Sequence, residues 1–434
     1  MGVVAAVAYL GGLSTQVGLA HASGEQDSPY ALLGQLARVL VLIENQYVEP
    51  VDRARLLQGG IKGMVAELDP HSAYLPAQDY RQFQSDTEGR FGGVGVEIEF
   101  RDDQLLVLAP IEGSPAERAG IRPGDRIVSI DGREVRGRST DELVKQMRGA
   151  PGTKVRLGVR REGRAAPLSF ELTREVIQVT SVSHAWLDGQ VAYLRVKAFQ
   201  SGTHSELLRA IAALRSEAGG PISKVILDLR NNPGGLVDES SAVADEFLGG
   251  GAIYSVRHRG KVVSEVRANA GGALRSGAMV VLVNEYSASA AELVAGALQD
   301  QRRATIVGAP TFGKGSVQSI LSLPGGAGLR LTTMRYYTPN GQAIQARGVK
   351  PDVLVQALRA SETPGIVREA DLPNHLPAEG APGSQPAAKP AAPSEDAPGT
   401  YLGVAREVPK DPTGGPDVAL SIGYQIVTGV LKGR

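Results

Sequence analysis

Residues 284–292 read NEYSASAAE, and they lie between an apolar run at 278–283 and an apolar-periodic run at 290–301. The first run reads as a buried strand and the second as a helix. Another apolar run at 304–307 completes strand, helix and strand with connections of ordinary length. This pattern predicts a βαβ unit, whose strands run parallel and end on the same edge of a sheet. The polar cluster itself has two readings. Ser289 and Glu292 have the Ser-x-x-Glu spacing of a helix capping box. A serine at the end of a buried strand is also where an activated hydroxyl is expected, and Ser287 and Ser289 are equal candidates on chemistry alone.

A lone lysine, Lys314, follows Ser289 by 25 positions, flanked by Gly313 and Gly315. It leaves the second strand of the unit as Ser289 leaves the first, so one crossover brings the two side chains to one edge. A third strand, 225–229, is followed by Arg230-Asn231-Asn232-Pro233-Gly234-Gly235 and a helical stretch, 237–248. If that strand is parallel too, its loop joins the others in the crevice where open α/β sheets bind ligands.

The residue types fit one chemistry. A serine hydroxyl needs a base, and a lysine serves when a dry pocket lowers its pKa from ~10.4, since burial disfavours the ammonium. Phe312 and Val317 stand near enough in sequence to build such a pocket. Backbone amides at Gly234 or Gly235 and at Ala290 could face a developing oxyanion. Gln318, four residues beyond Lys314, could orient the amine. Each feature also has an ordinary reading: a solvated lysine, an Asn-Pro-Gly-Gly turn, a strand glutamine. There is no G-x-S-x-G elbow.

Composition narrows the alternatives. At 434 residues and 42% hydrophobic content the chain is long enough for several domains. Basic and acidic residues balance at 46 each, which removes the electrostatic case for nucleic acid as a partner. The absence of cysteine excludes disulfides and thiolate catalysis, and the six histidines have no ligand spacing, so neither metal nor cofactor is expected. Residues 1–22 are uncharged, rich in Ala, Val, Leu and Gly, and end in Ala20-His21-Ala22. They read as a signal peptide lacking a basic start, or as a retained anchor, and predict a periplasmic or secreted location.

The expected organisation is an α/β multidomain protein. A helical N-terminal domain at 28–88 precedes a β module at 89–175 with short alternating strands at 94–100, 105–109, 126–130 and 154–160. A layered βαβ core follows at 178–358, its strands expected at 191–197, 225–229, 279–283, 304–307 and 330–336. Residues 362–400, rich in Pro, Ala, Ser and Gly, read as a disordered linker. The segment 401–434 carries an amphipathic helix at 417–431 with Val418, Ile422, Ile426 and Val430 on one face.

Three segments, DLRNNPGGLVD (228–238), VLVNEYSASAAELVAGALQD (281–300) and VGAPTFGKGSVQ (307–318), closely resemble those of the carboxyl-terminal processing peptidases, in that family's order and spacing. These are tail-specific, PDZ-containing serine proteases with a crotonase-like core. The resemblance implies that Ser289 rather than Ser287 is the nucleophile and Lys314 the general base. It further implies Gln318 as the partner of Lys314, with Gly235 or Gly234 and Ala290 as oxyanion donors. The β module is similar to the family's PDZ domain through FGGVGVEI (91–98) and SPAERAGIRPGDRIVSIDG (114–132). Gly93, Val94, Gly95 and Val96 would there present amides to a terminal carboxylate while the adjacent strand edge takes up the peptide. The implied partners are proteins with accessible C-terminal tails, with an adaptor protein and a homo-oligomer left open. The competing reading is a non-catalytic PDZ-containing binding or adaptor protein on the same fold.

Overall fold

Asp52 starts the helix Arg53–Ala66 by accepting the Ala54 N–H at 2.8 Å on its side chain. The computed structural model describes residues 29–101, 104–164, 166–356, 367–379, 400–402 and 417–431. The expected signal peptide, 1–22, lies outside them. The chain divides into two units, Met1–Met64 and Val65–Arg434. The first holds the helix Pro29–Gln46 and most of the helix Arg53–Ala66, with Leu32, Leu33, Leu36 and Val39 all exposed.

Residues 65–88 belong to the second unit rather than to a helical domain spanning 28–88. The reason is strand pairing: Ala73–Leu75 runs antiparallel to Gly328–Tyr337, with Ala73 opposite Arg330. The β module is a six-stranded antiparallel sheet with the short helices Pro115–Arg118 and Thr140–Met147. Its core gathers Leu105, Val107, Ile127, Leu143, Leu157 and Val159. Val96–Arg101 is an outer strand of that sheet, paired only with Gln104–Pro110 among the described residues.

A seven-stranded sheet carries the larger core, in the order Val182–Leu187, Val191–Val196, Lys224–Asp228, Ala278–Val283, Thr305–Gly308, Val353–Gln356 and Thr400–Leu402. All neighbours after the first pair are parallel. Both faces are covered, as the continuous apolar strands require. Val281 and Val283 belong to the same buried cluster as Leu207, Val243 and Leu293 of the helices Thr203–Ala218, Val237–Asp245 and Ala290–Asp300. Val280 and Leu282 point the other way, toward Leu420 and Ile422 of the helix Val418–Val427. The expected C-terminal amphipathic helix therefore packs on its own chain.

Two expectations change. The strand expected at 330–336 lies in a separate antiparallel sheet with Ala252–His258, Lys261–Arg267 and Ser316–Ser322. Within the expected linker 362–400, residues 367–379 are folded, with a 3-10 turn at Glu369–Asp371 and the Glu369 side chain fully buried. Composition misled there because a few long polar side chains, not an apolar run, anchor the segment.

Candidate active site

The strands Lys224–Asp228, Ala278–Val283 and Thr305–Gly308 are adjacent and parallel, so three loops leave the sheet at one edge. Hydrogen bonds stitch these loops together. The Asn231 N–H donates to Asn284 Oδ1 at 2.9 Å, and Asn284 Nδ2 donates to Asn231 Oδ1 at 2.8 Å. The Ala288 N–H donates to the Asn232 carbonyl at 2.9 Å and the Phe312 N–H to the Ser287 carbonyl at 3.0 Å.

The two candidate serines differ sharply. Ser287 is buried, its hydroxyl donating to the Leu229 carbonyl at 2.8 Å and accepting the Asn284 N–H at 3.0 Å. Ser289 stands just before the helix Ala290–Asp300 with φ 54° and ψ −116°. A non-glycine residue in that conformation stores about 1–3 kcal/mol. The strain produces a sharp strand-to-helix turn like a nucleophile elbow, without that elbow's flanking glycines. Gly234 makes room for it: a Cβ there would stand 2.8 Å from Ser289 Cβ and 3.0 Å from the Ala290 nitrogen.

The capping box exists in altered form. The Glu292 carboxylate accepts the Ser289 N–H at 2.7 Å, but the Glu292 N–H donates to the Ser289 carbonyl, leaving the hydroxyl out of the cap. Glu292 is completely buried and also accepts the Thr311 hydroxyl at 2.5 Å, the Gly313 N–H at 2.7 Å and the Lys314 N–H at 2.8 Å. Burial pushes its carboxyl up to about 7, against the opposing pull of those four bonds. Every partner is a donor. The Thr311 oxygen accepts the Val349 N–H at 2.7 Å, so its own proton points to Glu292, and the geometry fits the ionised carboxylate.

Lys314 is held by its backbone, with a partly buried side chain. Burial and the nearby Arg330 charge lower its pKa, while Glu369, Glu292 and Asp69 act in the opposite direction. Among the described residues, neither the Lys314 amine nor the Ser289 hydroxyl makes a hydrogen bond. Gln318 does not reach the amine either; its Nε2 donates to Ser316 Oγ at 2.8 Å and to Thr332 Oγ1 at 3.4 Å.

The expected oxyanion donors separate into two kinds. The Gly234 N–H is taken by Asn232 Oδ1 at 2.8 Å, which removes it from consideration. Among the described residues the N–H groups of Gly235 and Ala290 are unpaired. Gly235 has φ 136°, and a Cβ there would lie 2.1 Å from the Phe199 carbonyl oxygen, so no side chain fits. Beside this cluster a cavity of about 610 Å³ is lined by Asn231, Pro233, Tyr286, Ala288, Phe312 and Lys314. A larger one, about 1190 Å³, lies at the opposite edge of the sheet, by Gly277 and Thr305, away from these groups.

In the β module, Gly93 lies in the strand Arg90–Gly93, paired with Glu175–Gln178, and is thus set apart from the carboxylate loop it was expected to join. The carbonyls of Val94 and Gly95 accept the Ala116 and Ile111 N–H groups at 2.9 and 3.0 Å, while their own N–H groups are unpaired among the described residues. Val96 opens the outer strand.

Sequence reasoning missed several neighbours of Lys314. Asp69 accepts the N–H groups of His71 and Ser72 at 2.8 and 2.9 Å and the Ser72 hydroxyl at 2.7 Å. Asp-Pro-His-Ser is a turn signal, but only tertiary pairing brings it beside residue 314. Thr311 and Gln345 have no local signature at all.

Comparison with protein-family models matches residues 190–355 to peptidase family S41, 106–161 to a PDZ domain and 12–79 to the N-terminal domain of the activating protease CtpB. A carboxy-terminal-processing protease of Bartonella bacilliformis is 37% identical over 416 residues, covering 94% of this chain and 91% of that one. A probable CtpA-like serine protease of Staphylococcus aureus is 37% identical over 337 residues, 77% of this chain and 66% of that protein. Among solved structures, a photosystem II D1 C-terminal processing protease aligns at 31% identity with a TM-score of 0.46, covering 74% of this chain and 87% of that one.

Proposed function

This chain belongs to the carboxy-terminal-processing proteases of peptidase family S41 and is a serine-type peptidase; from that premise we propose that it is an endopeptidase using Ser289 as nucleophile and Lys314 as base. Substrates are proteins whose C-terminal tails dock in the PDZ domain. The observation that carries this reading is the shared acceptor: one Glu292 oxygen binds the backbone N–H of both Ser289 and Lys314.

In the proposed cycle Ser289 Oγ attacks the scissile carbonyl and its proton passes to the neutral Lys314 amine. The oxyanion is met by the N–H groups of Gly235 and Ala290. Collapse breaks the C–N bond, Lys314 returns the proton to the departing amine, and an ester on Ser289 remains. Water, deprotonated by the same amine, hydrolyses it. Pro233, Tyr286, Ala288 and Phe312 give the adjoining cavity an apolar wall suited to an apolar side chain beside the scissile bond.

The missing bond between the Ser289 hydroxyl and the Lys314 amine is read as a resting arrangement. Activation then swings the lysine side chain toward the serine and lets Gln318 leave Ser316 and Thr332 to orient it. The free outer edge of Val96–Arg101 and the unpaired N–H groups of Val94 and Gly95 support tail capture by strand addition. Export follows from the reading of residues 1–22, and a homo-oligomer from the exposed apolar side chains of Pro29–Gln46.

The test is proteolysis of a substrate with an unstructured tail by Ser289→Ala and Lys314→Ala. Each should be inactive with a native melting transition; full activity in either sinks the assignment.

A further inference from the structure

Residues 367–379, more than fifty positions beyond Lys314 in the chain, contact the loop that carries it. The Glu369 N–H donates to the Phe312 carbonyl at 3.2 Å, and the Arg368 guanidinium donates to the carbonyls of Thr311 and, at 3.1 Å, of Arg347. The Glu369 side chain is fully buried. Its Oε2 lies 2.7 Å from His71 Nε2, and its Oε1 accepts Gln345 Nε2 at 2.7 Å. The other end of the Gln345 amide accepts the Gly315 N–H at 3.0 Å. Contacts from this segment thus reach Thr311 and Phe312 before Lys314 and, through Gln345, Gly315 after it. Desolvation makes a buried carboxylate costly unless it is fully paired. The reaction as proposed makes no use of Glu369.

We propose that residues 367–379 form a clamp on the Lys314 loop, with Glu369 as a positioning residue for peptide hydrolysis. The proposal rests on the reading of Lys314 as the base. The clamp holds the carbonyls of Thr311 and Phe312 while Glu292 holds the N–H groups of Gly313 and Lys314. Its carboxylate also belongs to the set of charges around the amine: Glu369 from this segment, with its partner His71; Asp69 from the turn before that histidine; Glu292 from the helix Ala290–Asp300; and Arg330 from the strand Gly328–Tyr337. The carboxylates favour the ammonium and Arg330 opposes it. Arg330 is itself fixed, donating through Nε to the His71 carbonyl at 2.7 Å.

Glu369→Gln separates the two effects, since an amide can still accept from Gln345 and, with the other histidine tautomer, donate to His71. The pH dependence of kcat is measured for wild type, Glu369→Gln, Glu369→Ala and Lys314→Ala on one peptide substrate, with a thermal melt of each. In Glu369→Gln the fold should survive and the acid limb of kcat should move to lower pH by about half a unit or more, because one charge favouring the ammonium is gone. In Glu369→Ala, kcat should fall tenfold or more with KM changed little. Wild-type kcat and an unmoved limb in both variants, with Lys314→Ala inactive, would overturn the clamp while leaving the base assignment intact. An active Lys314→Ala would overturn the base and the clamp together.

Discussion

The backbone N–H groups of Ser289 and Lys314 share one acceptor, Oε2 of Glu292, at 2.7 and 2.8 Å. A single buried carboxylate therefore fixes the strained turn before the helix and the loop facing it.

Replacing Glu292 should damage both. In Glu292→Gln an amide NH₂ would face N–H donors, and each buried donor left unmet costs about 1–3 kcal/mol. The expected result is a melting temperature lowered by several degrees and cleavage reduced on the order of a hundredfold. Differential scanning calorimetry and a peptide-cleavage assay check it; wild-type values in both would remove Glu292 from its central role.

Acidity should matter through the same group. Glu292 is raised to about 7 in the folded protein against ~4.3 unfolded, so the folded state binds its proton more tightly. Its contribution to stability is fully present below the unfolded value, declines as pH rises through that window, and is exhausted above about 7. Activity should run the opposite way. The four donors need the ionised carboxylate of Glu292, so kcat should climb as pH rises through about 7; burial, by lowering the Lys314 pKa, favours the neutral amine in the same direction. A pH–rate profile that is flat across this interval would refute the coupling.

Strain at Ser289 gives a separable prediction. Glycine adopts positive φ without penalty, so Ser289→Gly should be inactive yet about 1 kcal/mol more stable. Ser287→Ala should do the reverse: it breaks the bonds to Leu229 and Asn284, lowers stability by about 1–3 kcal/mol, and retains measurable cleavage. Equilibrium unfolding paired with activity distinguishes the two serines.

Gly234→Ala tests the close approach. The added methyl would stand 2.8 Å from both the Ala288 carbonyl oxygen and Ser289 Cβ, in a backbone conformation with φ 100°. Activity should fall on the order of a hundredfold, comparable to losing an oxyanion donor. Unchanged kcat would show that the turn tolerates displacement.

Much of this arrangement was legible in the sequence because it is local. The strands Ala278–Val283 and Thr305–Gly308 are short apolar runs around one helix, and their parallel polarity follows from that connection. The strand Lys154–Arg160 matches its expected bounds for the same reason. What periodicity could not reveal is pairing across long separations. Nothing local marks Ala73 as the neighbour of Arg330, or Glu369 as the partner of His71. Side-chain alignment was equally hidden: Gln318 has the right spacing from Lys314, yet its Nε2 donates to Ser316 and Thr332. Gly234 and Gly235 are equivalent in the sequence, and what distinguishes them is the Asn232 side chain, which occupies the Gly234 N–H.

The most direct measurement is peptide mapping by mass spectrometry after exposure to a serine-directed acylating probe in the presence of a C-terminal tail peptide. A single adduct on Ser289 that disappears in Lys314→Ala is the expected result. An adduct on Ser287, or labelling of Ser289 that is undiminished in Lys314→Ala, would contradict the Ser289–Lys314 mechanism.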